Sequence, residues 1–451
     1  MGTEKLKEAK TASPEKAAAL KKDADMYFAT AKTYNDAAGT PTPPRSTPRQ
    51  LTMATSHSPK KKKVLVPIVA GTEPVEACVP IDILRRAGAD VTVASAGDAL
   101  LVEIMYGVKI LADALVADCA AASYDLIVLP GGVPGAANLG ACAALEGIVR
   151  RHAQKGGLYA AICAAPPLAL ARWGLLNGHK ATAHPLFVEY FPPEVTAVDA
   201  NVVVDGRVVT SRGPATSTEF ALALVEQLHG KEKVEQIAKA MLVRYEAGYS
   251  MKELNSVQWQ CSGTPKVLLP LANGSEEMEA ITIIDALRRA NASVVVASVE
   301  DGLEIAARHG MRIVADVMLD DAAADQSQTQ FDLIIVPGGM PGAETLGGSA
   351  KLVTLLKKQA EANRPYGAMG AATAHVLQPH GLLTGRKATT CTSMTGLLAD
   401  ASECENRVVV DGNVITSRGA GTAMEYALAV VEKLLGRDEA RQLADDLLFS
   451  A

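Results

Sequence analysis

The chain has 451 residues, of which 48% are hydrophobic and 4% aromatic, and its formal net charge is −6. This length predicts two or three domains, and the abundance of Ala, Val, Leu and Gly is typical of α/β proteins with buried parallel strands. The mild charge excludes a general attraction to nucleic acid or anionic membranes, and no apolar run reaches the ~18–20 residues that a membrane span requires.

The cysteine pattern bears on the compartment and on metal binding. The seven cysteines are scattered, and none forms a CxxC pair or lies at zinc-site spacing from a histidine. We therefore expect free thiols, no metal site, and a reducing compartment, which favours the cytoplasm. The cysteines are Cys78, Cys119, Cys142, Cys163, Cys261, Cys391 and Cys404.

Residues 1–62 form an extension that differs in composition from the rest of the chain. Residues 4–38, rich in Ala, Lys and acidic side chains, predict a solvated helix, and the Pro/Ser/Thr-rich residues 39–59 predict a linker. The polar start predicts no secretory signal, and its acidic residues argue against a plastid transit peptide without excluding one. The lysine run 60–63 fits either a nuclear address or a solvated flank before the first strand, so the nucleus stays open as a second location.

An internal repeat organises the remainder of the chain. Residues 63–95 match 266–298, residues 124–140 match 331–348, and residues 202–228 match 408–434. A repeat this long is a whole domain rather than a solenoid unit. We therefore predict one domain at 63–240 and a second copy at 266–449, with a helix end and a linker at 241–265.

Within the first copy, strand-length apolar runs alternate with helical patterns. The predicted strands are VLVPIVA, VTVASA, DLIVLPGG and LYAAICA, and the predicted helices include PVEACVPIDILRRAG and ALEGIVRRHAQKG. This alternation predicts a mainly parallel sheet with helices on both faces. Ligands of such folds bind at the carboxyl ends of the strands.

Candidate functional residues follow three of these strands. Glu76 lies near the start of the helix after the first strand, and Gly131 and Gly132 follow the LIVLP strand. Glycines let backbone N–H groups approach a ligand and act as an oxyanion hole. Each feature also has a structural explanation: a surface carboxylate on a first helical turn, or a glycine pair that only permits a tight turn.

Cys163 lies between the end of an apolar strand and the start of a helical pattern. A helix N-terminus favours a thiolate, and Pro166 and Pro167 suit a first helical turn. The backbone N–H of Ala164 is a candidate second oxyanion donor, and His184 supplies the imidazole that nucleophilic catalysis by a cysteine requires. Alone, Cys163 is better explained as a buried core cysteine, and His184 is at least as well explained as a turn residue; their joint placement at strand ends favours a site.

The second copy departs from the first at this constellation. Glu279 keeps the position of the glutamate, and Gly338 and Gly339 keep the glycine turn. Gly370 stands in place of the cysteine, and Cys391 stands in place of the histidine. We predict a degenerate second pocket that keeps the fold but has lost the thiol.

Four motifs together resemble the DJ-1 branch of the DJ-1/PfpI superfamily, and the resemblance covers roughly residues 63–449. They are VPIVAGTEPVEACVPIDILRRAGADVTVAS, LPGG, AAICAAP and TSRGPATSTEFALALVEQLHGKE. Two such domains in one chain resemble the arrangement of plant members. The resemblance implies two tandem flavodoxin-like three-layer α/β sandwiches with mainly parallel sheets, related to class I glutamine amidotransferases.

The resemblance also implies roles for individual residues. Cys163 matches the reactive, oxidation-sensitive cysteine, Glu76 the protonated glutamate that bonds to its sulfur, and His184 the histidine beside the pocket. Ala164 stands where the protease-like PfpI branch commonly has a histidine, which argues against peptidase activity. Since family members often dimerise, we expect the two copies to form an intramolecular pseudo-dimer, with a homo-oligomer left open.

The activity implied by the resemblance is a glutathione-independent glyoxalase that converts methylglyoxal or glyoxal to lactate or glycolate without a cofactor. A deglycase activity on glycated proteins is a second implied activity. The alternative is a non-enzymatic redox sensor or chaperone that uses oxidation of the same cysteine. Both hypotheses require an activated Cys163, so the sequence does not separate them.

Overall fold

The computed structural model describes residues 61–244, 248–261, 263–324 and 330–449. The helix predicted at 4–38 and the linker predicted at 39–59 lie outside these residues. Within the described part, no helix combines the length and the apolar character needed to cross a bilayer.

The first copy is built on a central sheet flanked by helices. Its strands are β1 (Lys63–Ile68), β2 (Asp90–Ser95), β3 (Leu101–Glu103), β4 (Lys109–Leu111), β5 (Ala114–Leu115), β6 (Leu126–Leu129), β7 (Leu158–Ile162), β8 (Lys180–Ala181), β9 (Thr196–Ala197), β10 (Val202–Asp205) and β11 (Val208–Ser211). Its helices are α1 (Pro74–Arg86), α2 (Gly135–Ala141), α3 (Ala143–Gln154), α4 (Ser217–His229) and α5 (Lys231–Met241). The sheet order is β10-β11-β7-β6-β1-β2-β5, and all ladders except β10–β11 are parallel.

The second copy repeats this plan. Its strands are β12 (Lys252–Leu254), β13 (Lys266–Leu271), β14 (Ser293–Ser298), β15 (Glu304–Ala306), β16 (Arg312–Val314), β17 (Val317–Met318), β18 (Leu333–Val336), β19 (Tyr366–Met369), β20 (Val408–Asp411) and β21 (Val414–Ser417). Its helices are α6 (Glu277–Arg289), α7 (Leu319–Ala324), α8 (Gly342–Gly348), α9 (Ala350–Glu361), α10 (Ala423–Leu435) and α11 (Arg437–Asp446). The sheet order is β12-β20-β21-β19-β18-β13-β14-β17.

The central strands are apolar along their whole length because helices cover both faces of each sheet. In β1, Val64, Leu65 and Val66 are fully buried, and the equivalent residues of β13 are buried in the same way. This arrangement confirms the predicted fold class of two tandem flavodoxin-like domains with mainly parallel sheets.

The segment between the copies includes a strand that the sequence analysis did not predict. β12 pairs in parallel with β20 and extends the second sheet by one strand. Nearby, Trp259 is buried and its Nε1 donates a hydrogen bond to the carbonyl of Gly412 at 3.0 Å. The strand sequence KEL has no apolar alternation, so its pairing depends on the neighbouring sheet edge rather than on its own pattern.

The two copies pack against each other as a pseudo-dimer within one chain. α1 packs on α6, and a single hydrophobic cluster includes residues of both helices. In addition, β4 pairs with β16, which joins hairpins of the two copies into a four-stranded sheet of order β15-β16-β4-β3. The second copy is therefore a structural partner of the first.

Candidate active site

Cys163 occupies a strained turn directly after β7. Its φ is +65°, a region that non-glycine residues rarely adopt, and its N–H donates to the carbonyl of Ser211 at 2.9 Å. The side chain is 8% exposed. Gly370 adopts φ +48° at the same turn of the second copy, so glycine there keeps the conformation without the steric cost of a β-carbon.

Glu76 lies in the first turn of α1 and is completely buried. Its Oε2 accepts a hydrogen bond from the backbone N–H of Gly131 at 2.9 Å. Its Oε1 is buried without a hydrogen-bond partner among the described residues, and the Cys163 thiol lies beside the carboxyl group. Burial raises the pKa of Glu76 to about 7, against the opposing effects of the thiol and of the Arg289 charge.

The thiol and the carboxyl group each affect the pKa of the other. Burial raises the pKa of Cys163 well above its usual value, and the charge of Glu76 raises it further, whereas the N–H of Gly132 lowers it. Protonation of Glu76 near pH 7 removes that charge, while the Cys163 thiol stays protonated in this range.

The helix N-terminus, which the sequence analysis expected to favour a thiolate, does not dominate the pKa of Cys163. The segment after Cys163 is a short π-helical turn, Pro166–Ala171, rather than a regular helix. It begins with two prolines, which have no N–H groups to offer the sulfur. Burial and the neighbouring carboxylate therefore outweigh the helix dipole.

The two glycines after β6 are required by close packing. A β-carbon on Gly131 would lie 2.4 Å from Oε2 of Glu76 and 2.6 Å from Cβ of Cys163. Gly132 has φ +90°, and a β-carbon there would lie 2.4 Å from the carbonyl oxygen of Gly71. Of the predicted oxyanion donors, Gly131 gives its N–H to Glu76, and Gly132 directs its N–H toward the sulfur. Because the N–H of Gly131 is bonded to Glu76, it is not available as the predicted oxyanion donor. Ala164, the other predicted donor, lies fully buried beside Cys163.

The backbone of His184 is hydrogen-bonded to the backbone of Cys163. Its N–H donates to the carbonyl of Cys163 at 3.0 Å, and its Nδ1 accepts from the N–H of Leu186 at 3.2 Å. Because Nδ1 accepts, a neutral imidazole here carries its proton on Nε2. The ring meets Phe187 edge to face at 6.0 Å, which fixes its orientation.

A cavity of about 100 Å³ brings Glu76, Cys163 and His184 together. Side chains that the sequence analysis missed complete its lining, including Glu73 and Tyr106 of the first copy and Arg289 and Asp446 of the second. A larger cavity of about 370 Å³ lies at the amino-terminal end of the first sheet and contains none of the predicted site residues.

Arg289 links the second copy to this cavity. Its guanidinium donates to Glu73 at 2.5 Å and to Asp285 at 2.7 Å, and it lies 4.6 Å above the ring of Tyr106. Glu73 in turn accepts from the N–H of Glu76 at 2.6 Å, as the N-cap of α1. Arg289 therefore holds the helix start that carries the site carboxyl group.

A pseudo-symmetric network lies at the second pocket. Asp82, Glu276 and His309 have possible ligand atoms within 4.8 Å of one another, which is a metal-like spacing. Arg86 binds both carboxylates, at 2.5 Å in the case of Glu276, so this cluster is an ion-pair network equivalent to that of Arg289.

The second pocket keeps the carboxyl group and the turn but has no thiol at the turn. Oε2 of Glu279 accepts from the N–H of Gly338 at 2.6 Å, and burial raises the pKa of Glu279 to about 8. A β-carbon at Gly370 would lie 3.1 Å from Oε1 of Glu279, which marks the space that a cysteine would take. Cys391 is half-buried and bonds within its own turn to Ser393, at 3.6 Å. Gly339 keeps a positive φ of +95°.

These features define a two-copy α/β protein with one buried cysteine site at a strand-to-helix turn. Residues 62–227 and 265–433 match the DJ-1/PfpI family. The chain belongs to the DJ-1/PfpI family.

Three similar proteins illustrate the relationship. The chain is 50% identical to protein DJ-1 homolog B of Arabidopsis thaliana over 398 residues, 88% of this chain and 90% of that protein. It is 33% identical to a glutathione-independent glyoxalase of Caenorhabditis elegans over 169 residues, 38% of this chain and 89% of that protein. Among solved structures, oxidized Toxoplasma gondii DJ-1 is 44% identical with a TM-score of 0.39, covering 40% of this chain and 96% of its own.

Proposed function

We propose that the first copy is a glutathione-independent glyoxalase that converts methylglyoxal to lactate and glyoxal to glycolate. The observation that carries the proposal is the buried pair of Cys163 and Glu76 in a small cavity beside His184, where a carboxyl group with a pKa of about 7 lies next to the thiol. The glyoxalase name of the Caenorhabditis elegans relative supports the same chemistry.

The reaction starts with attack of the Cys163 sulfur on the aldehyde carbon. Glu76, as a carboxylate, accepts the thiol proton as the S–C bond forms, and it returns this proton to the aldehyde oxygen to give a hemithioacetal. The N–H of Gly132, which faces the sulfur, lies where it can stabilise developing negative charge.

The second stage moves hydrogen between the two carbons of the substrate. Glu76 removes the proton from the former aldehyde carbon and delivers it to the ketone oxygen, which accepts a hydrogen bond from Nε2–H of His184, to give an enediol. Glu76 then takes the proton from the first oxygen and delivers it to the second carbon, which leaves a 2-hydroxy thioester and restores the carboxylate. Water cleaves the thioester to the 2-hydroxy acid and releases the thiol, so the sum is aldehyde plus water to acid.

The test is incubation of the purified protein with methylglyoxal in the absence of glutathione, with lactate measured over time. We expect lactate in amounts that exceed the enzyme concentration many times over. Methylglyoxal loss without lactate would contradict the proposal, because surface lysines and arginines also consume the aldehyde. Deglycase activity stays a prediction; a cavity of about 100 Å³ suits a small aldehyde better than a protein-bound adduct.

The second candidate function is redox sensing through Cys163. Its support is the same carboxyl group, because a protonated Glu76 could donate a hydrogen bond to a sulfinate at this position. Two measurements separate the two functions. One is mass spectrometry of the Cys163 peptide after peroxide treatment, and the other is lactate production by the untreated protein.

Glu76→Gln separates activation of the thiol from proton transfer. Glutamine keeps the size of the side chain and removes the charge that raises the pKa of Cys163, so we expect Cys163 to react with iodoacetamide at pH 7 at least as fast as in the wild type. Turnover of methylglyoxal should fall by about 10²–10⁴-fold, because glutamine accepts no proton. Loss of both reactivities together would contradict the assigned role and point to a disrupted site.

A further inference from the structure

The first sheet ends in a strand edge whose counterpart in the second sheet is covered. β10 is the edge strand of the first sheet, whereas β20 pairs with β12 from the segment between the copies. Val204 of β10 is 45% exposed, and Val410, at the same place in β20, is fully buried. The N–H of Gly412 donates to the carbonyl of Leu254 at 3.0 Å; within the described ranges, the equivalent N–H of Gly206 has no backbone acceptor. Such an edge is a surface on which another segment can pair.

The cavity of about 370 Å³ lies where the second copy packs the residues that follow β12. There, Trp259 is buried and the ammonium of Lys433 lies 5.8 Å from its ring centre. The thiol of Cys261 donates to the carbonyl of Leu434 at 3.5 Å. The counterparts of Lys433 and Leu434 in the first copy line the cavity, and they are Gln227 and Leu228. The first copy thus has a cavity where the second copy has packed chain.

The residues that precede the first copy match the covering segment in length and in residue type. The triplet 49–51, Arg-Gln-Leu, corresponds to β12, Lys-Glu-Leu, at the same offset of 203 residues that relates β1 to β13. Residues 52–62 connect the first triplet to its copy, and residues 255–265, an equal number, connect β12 to the second. A connection of equal length reaches the equivalent edge of a sheet with the same strand order.

The side chains at the covering contact differ between the copies in a matched way. In the second copy, Nζ of Lys433 donates to Glu253 of β12 at 2.7 Å. Gln227 takes the place of the lysine in the first copy, and Gln50 takes the place of the glutamate in the triplet. Each glutamine amide has both donors and an acceptor, so the two can bond to each other without charge. The exchange therefore keeps the contact complementary.

We propose that residues 49–51 pair in parallel with β10 and that the residues after them cover the cavity beside Gln227. The extension then covers the edge of the first sheet as β12 covers the edge of the second. Pro48 comes directly before the triplet, and proline on an edge strand is tolerated and blocks the pairing of a further strand. This surface therefore binds a segment of its own chain and is closed to a second molecule.

The test is hydrogen exchange of the full chain, with mass spectrometry of the peptide that contains residues 202–206. Leu51 corresponds to Leu254, whose backbone faces β20, and Leu51→Pro removes the N–H at that place. We expect exchange of the peptide to become at least about tenfold faster in this variant. The matched control is Thr42→Pro, in the same extension but outside the triplet, where we expect the wild-type rate. Residues 408–412, covered by β12, are the internal reference and should exchange equally slowly in all three proteins.

Two results of this experiment would overturn the inference. Equally fast exchange of residues 202–206 in the wild type and in Leu51→Pro would mean that the edge is uncovered. Equally slow exchange in both would mean that something else covers it. A second copy of the chain is then the occupant if the protection falls on dilution, and another segment of the same chain is the occupant if it does not.

A cross-link tests the register and the origin of the strand. The pairing of Glu253 with Val410 places residues 50 and 204 side by side, so we expect a short bifunctional maleimide to join them within one chain of Gln50→Cys/Val204→Cys. The control, Thr42→Cys/Val204→Cys, should give far less of this link. A link that forms only between two chains would overturn the inference, because the extension would then be exchanged between molecules.

Discussion

Replacing Cys163 with alanine is expected to lower lactate formation from methylglyoxal by at least about a thousandfold, because the covalent intermediate requires this sulfur. Among the described residues that line the cavity, Cys163 is the sole cysteine, so no second thiol is in position to attack the substrate. Alanine meets the same φ of +65° as cysteine, so the backbone strain of the turn is unchanged by this substitution.

The matched control is Cys391→Ala, at the corresponding pocket of the second copy. Cys391 is half-buried and bonds to Ser393 of its own turn, and we expect its loss to leave turnover within about twofold of the wild type. Both variants are assayed for lactate and for thermal unfolding. Activity that survives in Cys163→Ala but is lost in Cys391→Ala would show that the active site lies in the second copy.

The parts of the fold that the sequence predicted are those set by local patterns. The buried strands of each sheet are continuous apolar runs, and the repeat itself shows that the domain occurs twice. β12 was missed because three residues without alternation have no periodic signal, and their pairing depends on the edge of a sheet far away in sequence. The same reason applies to the β4–β16 pairing across the two copies.

The candidate site was predicted in part for a similar reason. Glu76, Cys163 and His184 come from one copy and lie at predicted strand ends, so the rule for parallel sheets places them together. Arg289 and Asp446 come from the other copy, and their positions follow from the packing of α1 on α6 and from the anchored end of α11. The raised pKa of Cys163 was also missed, since the burial of the thiol beside Glu76 is a property of the folded turn.

Arg289→Ala should combine a large loss of stability with a specific effect on the site. The guanidinium is 8% exposed and paired with Glu73 and Asp285, and removal of one partner from a buried ion pair costs about 3–5 kcal/mol. Glu73 then loses the contact that holds it in place as the N-cap of α1. The first turn of this helix carries Glu76. We expect kcat/KM to fall by about ten- to a hundredfold at temperatures where the variant remains folded.

The effect on Glu76 is measurable as a pH shift. The positive charge of Arg289 lowers the pKa of Glu76, which stands at about 7, so its removal raises that pKa. The acidic limb of the kcat/KM profile, where Glu76 must be deprotonated to accept the thiol proton, should therefore move to higher pH in Arg289→Ala. A purely structural role for Arg289 would lower the rate without moving this limb.

Arg86→Ala is the control that the pseudo-symmetry supplies. Arg86 makes the equivalent contacts to Asp82 and Glu276 across the same interface, so its loss should also destabilise the protein by a few kcal/mol. Its charge lowers the pKa of Glu279, in the pocket whose turn has no thiol, so turnover and the pH limb should stay close to the wild type below the unfolding temperature. Equal losses of turnover in both arginine variants would mean that the interface supports activity only through overall stability. A loss confined to Arg289→Ala would mean that the second copy acts on the site of the first through this one side chain.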